Sequence, residues 1–428
     1  MRAPTHPQAP RPASAALLAR LRPALLASAI VACGGSPTAA EAPEAPTGTS
    51  GPRLITEFVG FVDAARGMLV LRPQAAAQRS AGVIAQGLAE VNVVQDGVPS
   101  AGPDNSVELV TESTAIKTGA QGCGAFDAFS GMVTLRSFFP NSTLQNTYIE
   151  LTRVTPIGHE ACNSSPVPPG LEVSDALGLF AYGTIAAKGG ASDHATREWK
   201  LLLPTTTNFG FIGRVMADVV STVAVPTAFG RGADAYGQGS VPTTNFGASP
   251  LITTRSTPGN PPNNYKDYLR FDLSAAAAEI DLASASAATL SFAVTGRNGT
   301  VTFDFYGLPD GLPGDAASGW TELGLTFGNG PGNAGKGGAD LSFFTTAPGD
   351  SNGNFLSSLG QQSVLNPAAN ATVSFSSAAL LNWIKSDTNG LVTVALRRGD
   401  AAGIIHLHSK ENTLGLAAPT LTVVGPRR

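Results

Sequence analysis

Residues 264–274 read NYKDYLRFDLS. Side chains alternate across a β-strand with period two. One face would carry Asp267, Leu269, Phe271 and Leu273, and the other Lys266, Tyr268, Arg270 and Asp272. The first set is a core face. The second places a cation, a phenol, a guanidinium and a carboxylate in one row. Antiparallel sheets commonly bury one face and leave the other in water, so this row is expected to face solvent.

Short apolar runs bounded by Gly, Pro, Asn and Asp recur along the chain, including SVELVTES, GMVTLRSFF, TVTFDFYGL, GLVTVALRR and PTLTVVG. Long 3.6-residue patterns are scarce, and the helical candidate is SSAALLNWIKS at 376–386. The chain therefore reads as all-β. Its 428 residues suit two domains. Only 14% of residues are charged and the net charge is -4. A nucleic-acid binder would show a basic stripe instead, so nucleic acid is excluded as a partner.

The first 32 residues read as an export signal. Arg2, Arg11, Arg20 and Arg22 precede the apolar run ALLASAIVA, which has the length of a signal h-region. The following IVACGG resembles a bacterial lipobox. That resemblance implies cleavage before Cys33 and lipidation of its thiol. Gly34 in place of Asp points to the outer membrane or cell surface, with secretion as the other export route. Residues 33–53 are rich in Pro, Ala, Gly and Glu and read as a flexible tether. Cys123 and Cys162 then remain. In an exported chain such a pair is expected to form a disulfide.

Two β-sandwich domains are expected. Residues 54–225 have strand spacing that suits an immunoglobulin-like sandwich, and they carry no catalytic constellation. Residues 231–425 form strand after strand with one short helix, which suits a jelly roll.

This second region resembles the family 96 carbohydrate-binding module, the DNRLRE domain. The likeness is carried in order by ADAY (233–236), TNFGASPLITTRS (244–256), YLRFDLS (268–274), SAATLSFAV (286–294) and GWTELGLTFGNGPG (319–332). It closes with VSFSSAALLNWI, LVTVALRR and HLHSKEN…APTLTV. Lys410 stands where the family shows Arg. The Gly- and Asn-rich stretch 328–370 reads as an inserted loop.

The resemblance implies a jelly roll that binds polysaccharide, in some members uronate-containing. Arg offers a planar fork for a carboxylate, and Lys a mobile point charge. The candidate saccharide contacts are Lys266, Tyr268, Arg270 and Asp272, with Arg397 and Lys410 on late strands. From Arg231 to Val424 there are 10 Lys and Arg against 14 Asp and Glu, so an anion site would be a local patch and a neutral glycan fits equally. No cofactor is required. Sugar-binding jelly rolls often hold a structural Ca2+, for which Asp234, Asn245 and Asp350 supply oxygen ligands. His406 and His408 share one strand face but lack a third ligand nearby in sequence.

No GxSxG elbow, HExxH or Walker loop is present. The expected function is a non-catalytic, carbohydrate-binding lipoprotein at the surface or secreted, touching the membrane through its lipid alone. The alternative is a structural or adhesive surface protein that binds protein partners.

Overall fold

The computed structural model describes residues 51–73, 90–95, 104–119, 123–124, 126–155, 159–166, 178–203, 207–257, 264–312, 319–334, 342–399 and 403–428. The expected signal peptide, Cys33 and nearly all of the tether lie outside the described residues. No helix among the described residues is long and apolar enough to cross a membrane.

The regular structure of the described residues is nearly all strand, as expected, and it builds β-sandwiches. The first contains β1 (Arg53–Asp63), β2 (Met68–Pro73), β3 (Glu90–Gln95), β4 (Ser106–Lys117) and β5 (Asp127–Ser137). It also contains β6 (Ser142–Thr155), β7 (Gly178–Ile185), β8 (His194–Leu203) and the first half of β9 (Phe209–Pro226). A four-stranded sheet, in the order β3-β4-β5-β8, packs against the layer of β2, β1, β9, β6 and β7. Between them lie Phe58, Phe129, Phe180, Trp199 and Phe211, all buried. Large and small residues interlock across the β1–β9 pair. Gly60 faces Phe211 and Gly213 faces Phe58. A Cβ on either glycine would lie 2.1 Å from the opposing ring.

The second sandwich begins on the same strand. Its first layer joins β9 to β19 (Thr420–Pro426), β13 (Ala287–Val294), β18 (Gly403–His408) and β11 (Leu251–Ser256), with β16 (Ala371–Phe375) also paired to β13. Its second layer runs β10 (Ala233–Gln238), β12 (Tyr265–Asp272), β17 (Leu391–Arg398), β14 (Thr300–Gly307) and β15 (Ser357–Leu365). Leu269, Phe271, Leu290, Phe292, Phe303, Phe305 and Leu421 fill the space between. Each such side chain contributes roughly 1.5–3 kcal/mol on burial.

Strand β9 serves both cores with one parity. Phe209, Phe211, Val215, Ala217 and Val219 enter the first core, whereas Val225 enters the second. Between them Ser221 is buried and meets Ser142, Oγ to Oγ, at 2.7 Å. Strands β1 and β19 lie end to end along β9: Arg53 is opposite Ala217 and Pro426 is opposite Val220.

Two helices complete the second sandwich, α1 (Ser274–Glu279) and α2 (Ala378–Lys385). The second is the helix expected from sequence. Ser377 caps it, its side chain accepting from Leu380 N at 3.0 Å, which satisfies one of the orphan donors of the first turn. Leu380 and Ile384 are buried, while Trp383 is partly buried against the same core. Trp383 lies so close to Gly307 that a Cβ there would be 2.6 Å from its ring.

The expected disulfide is present. Cys123 and Cys162 are bridged with their Cα atoms 5.7 Å apart, closing a sequence separation of 39. The chain-entropy account assigns a loop of this length at most about 4 kcal/mol. Replacing both cysteines by Ser should therefore lower the calorimetric unfolding midpoint. The loss should stay under that ceiling, because neither cysteine is part of the first core.

Candidate functional site

The row Lys266, Tyr268, Arg270 and Asp272 does not face solvent. All eight residues of β12 are buried. The core side behaves as expected, with Leu269 and Phe271 fully enclosed. The other side lies under a third layer made by residues 319–334 and 342–356. Its apolar members include Trp320, Leu325, Phe343 and Leu356, clustered with Tyr268 and Ala395. The stretch 328–370, expected to be an inserted loop, instead contributes 328–334 and 342–356 to this covering layer and then strand β15 to the sheet.

The charged row is engaged from within. Arg270 donates through Nε to Arg231 O at 2.8 Å and through Nη1 to Trp320 O at 2.5 Å. Its guanidinium lies 4.8 Å from the centre of the Trp320 ring. Lys266 is fully buried. It donates to Asn333 Oδ1 at 2.5 Å and to the Ser342 carbonyl, and its ammonium lies 4.5 Å from the Phe343 ring centre. Tyr268 donates to Pro331 O at 3.1 Å, and burial raises its pKa far above the ordinary phenol value. Asp272 accepts from Arg231 N at 2.9 Å and Ser274 N at 3.1 Å. Burial opposes its ionisation, yet these bonds outweigh it and hold the carboxyl below its usual range. The expectation that these four residues touch saccharide is thus corrected. Each buried polar group must find a partner when water leaves, and the covering layer supplies carbonyls, amides and ring faces.

Glycine explains how that layer comes so close. A Cβ at Gly330 would be 2.7 Å from the Tyr268 hydroxyl, and one at Gly237 2.6 Å from the Phe327 backbone. The TNFG step has a matching role. Asn245 donates through Nδ2 to Glu322 O and Leu325 O, each at 2.7 Å, and a Cβ at Gly247 would be 2.1 Å from Glu322 O. Asn245 thus presents its amide hydrogens to the layer, not its oxygen to a cation.

Arg397 occupies the open end of the same sheet face. It is half-buried and pairs through Nε with Asp304 Oδ2 at 3.0 Å. Gln361 donates to the other oxygen of Asp304 at 2.6 Å. The register explains the row, since Asp304 is opposite both Arg397 and Gln361. Next to it Thr302 and Ser363 share a 2.8 Å hydroxyl contact at the surface. Tyr306 marks the inner edge, half-buried, 5.6 Å from the Arg397 guanidinium and 5.1 Å from the Phe343 ring. An Arg, a carboxylate, an amide, hydroxyls and a ring edge offer the donors, acceptors and apolar surface that sugars need. Asp304, Gln361 and Tyr306 were not singled out from sequence. The alternation of TVTFDFYGL could have placed Asp304 and Tyr306 on one face, but not beside Arg397.

Lys410 lies elsewhere, in a carboxylate cluster. Its ammonium is 2.6 Å from Glu322 Oε2 and 3.9 Å from Glu411 Oε1. Asp234, Glu322 and Glu411 each offer an oxygen within 4.8 Å of the others, and they are the one group of potential metal ligands of this size among the described residues. Burial, then the charges of Glu411 and Glu322, push the Asp234 carboxyl up to about 7, against hydrogen bonds from Thr227 and Lys410 N. Of the calcium candidates, Asp234 is therefore in such a group. Asp350 instead closes its own turn, accepting from Gly332 N, Asn352 N and Asn354 N. His408 is buried, and His406 meets Thr253 at 3.0 Å.

The second sandwich is thus a two-layer all-β unit with one sheet face plated over and a polar, ring-edged margin beyond the cover. Residues 226–347 match the sequence model of carbohydrate-binding module family 96. No curated protein matches the chain. Among solved structures, BuGH86 in complex with neoagarooctaose is 9% identical, with 70% of this chain and 34% of that chain covered at a TM-score of 0.17. A secreted protein from Parabacteroides distasonis ATCC 8503 is also 9% identical, with 74% and 88% covered at 0.14. The chain thus spans about a third of BuGH86. Likenesses this slight carry no argument about fold or activity.

Two outcomes test these assignments. Arg270→Ala would strip Trp320 O and Arg231 O of their donor inside the third layer. It should cost about 2–4 kcal/mol in denaturant unfolding, as a surface ligand residue would not. Asp267 is fully buried and bonded by Thr254, and burial raises its pKa well above the ordinary value. From about pH 4 upward the folded state keeps a proton that the unfolded chain has released. Stability should fall as pH rises through this window, and Asp267→Asn should flatten that fall in thermal unfolding between pH 4 and 7.

Proposed function

We propose that the second sandwich captures polysaccharide at the margin formed by Arg397, Gln361 and Tyr306, with the buried Asp304 holding Arg397 and Gln361 in place. The match of residues 226–347 to a carbohydrate-binding module family supports carbohydrate as the ligand class. The carrying observation is the row Arg397–Asp304–Gln361 at the end of a face whose remainder is sealed. Asp304 and Tyr306 fall within the matched residues. Arg397 can present its fork to a uronate carboxylate, or to the hydroxyls of a neutral sugar.

The same reading makes the chain a non-catalytic lipoprotein, exported and held at the outer membrane or cell surface through Cys33, or secreted. The tether gives reach, and many copies on one surface multiply modest contacts into avidity. A second reading, adhesion to a protein partner, is favoured by a hollow of about 570 Å3 on the β1–β2 hairpin, where Phe61 is 45% exposed beside Arg66 and Arg72.

Affinity electrophoresis through gels containing uronate-rich or neutral polysaccharides separates the two. Retardation by one glycan should weaken roughly tenfold or more in Arg397→Ala, with the unfolding midpoint within a few degrees of the parent. Equal retardation of parent and variant would remove the margin as the site. No retardation by any glycan, with binding lost in Phe61→Ser to a captured protein, would favour adhesion.

A further inference from the structure

Three chain segments bring carboxylates together where the third layer meets the sheet. Asp234 comes from β10, Glu322 from the covering layer, and Glu411 from the turn that follows β18. Asp234 is only 1% exposed. Its Oδ2 accepts from Thr227 Oγ1 at 2.6 Å and from Lys410 N at 3.1 Å. Its Oδ1 is buried and makes no hydrogen bond, and neither does the buried Oε2 of Glu411. A buried carboxylate oxygen left without a donor is costly. Lys410 supplies one ammonium against three carboxylates, and that ammonium is spent chiefly on Glu322 Oε2.

The geometry suits a hard cation. Calcium binds oxygen at about 2.3–2.6 Å, so two oxygens on one ion stand no more than roughly 4.8 Å apart. The three carboxylates meet that limit. The donor set is all oxygen, without His or Cys, which favours calcium or magnesium over zinc. We propose that Asp234 Oδ1, Glu411 Oε2 and a Glu322 oxygen hold one divalent cation of the oxygen-preferring class, with Ca2+ the better fit to an irregular carboxylate set. Such an ion ties the first strand of the second layer, the covering layer and the turn after β18 at one point. It therefore holds down the layer that shelters Arg270. Asn245 and Asp350, whose side chains are occupied elsewhere, are not ligands.

The test uses the full chain, stripped with chelator and titrated calorimetrically with CaCl2 and with MgCl2, alongside Tb3+ luminescence with Ca2+ competition. One ion per chain is expected, with a rise of several degrees in the unfolding midpoint that chelator reverses. Glu411→Gln alters a side chain that is 29% exposed, so folding should survive while affinity falls at least tenfold. Lys410→Met removes the competing ammonium and should tighten binding. The proposal is overturned if millimolar Ca2+, Mg2+ and Tb3+ all fail to bind, or if binding is unchanged in Glu411→Gln. It is equally overturned if Lys410→Met lowers stability and Ca2+ restores none of it, the behaviour of a closed ion-pair network.

Discussion

The structure of the second sandwich depends on the burial of two cations on one strand. Lys266 and Arg270 point away from the apolar core, yet Lys266 is fully buried and Arg270 nearly so. A buried charge is tolerated only when its donors are met, and here carbonyl oxygens, an Asn side chain and aromatic faces meet them. That requirement explains the third layer. Residues 319–334 and 342–356 carry Trp320, Asn333 and Phe343 to places where an ammonium or guanidinium needs a partner, and glycines at 237, 247 and 330 let the backbone approach. The charged row thus anchors a covering layer of polypeptide over one face of the sheet.

Much of this was legible in the sequence, and the missing part has a physical cause. Alternation in YLRFDLS assigned the core face correctly, and the run SSAALLNWIKS marked the second helix. Two distant cysteines in a chain read as exported pointed to a bridge. The outer face of β12 was misread because periodicity says which residues share a side, not what lies over it. Arg and Lys on a strand read as solvated until a segment some fifty residues away proves to cover them. The GWTELG piece was recognised as a motif, but its role as a cover depends on tertiary contacts that no local pattern encodes. The carboxylate cluster shows the same limit. Asp234, Glu322 and Glu411 lie far apart in the chain and meet only because β10, the covering layer and the turn after β18 converge.

The two sandwiches have separate apolar cores but no separate frameworks. Strand β9 keeps one inward parity through both, and the change of core falls at Ser221, where a hydroxyl pair with Ser142 replaces apolar packing. A polar seam of this kind divides the interior without interrupting the hydrogen-bond ladder.

That arrangement also sets how the molecule carries load. Strands β1 and β19 run end to end along one side of β9, and β6 lines its other side as far as Ser221, so any load passing between the sandwiches crosses one continuous strand. The joint between the two sandwiches is thus a shared strand and not a linker, and residues 50–428 form one compact unit instead of two beads on a string.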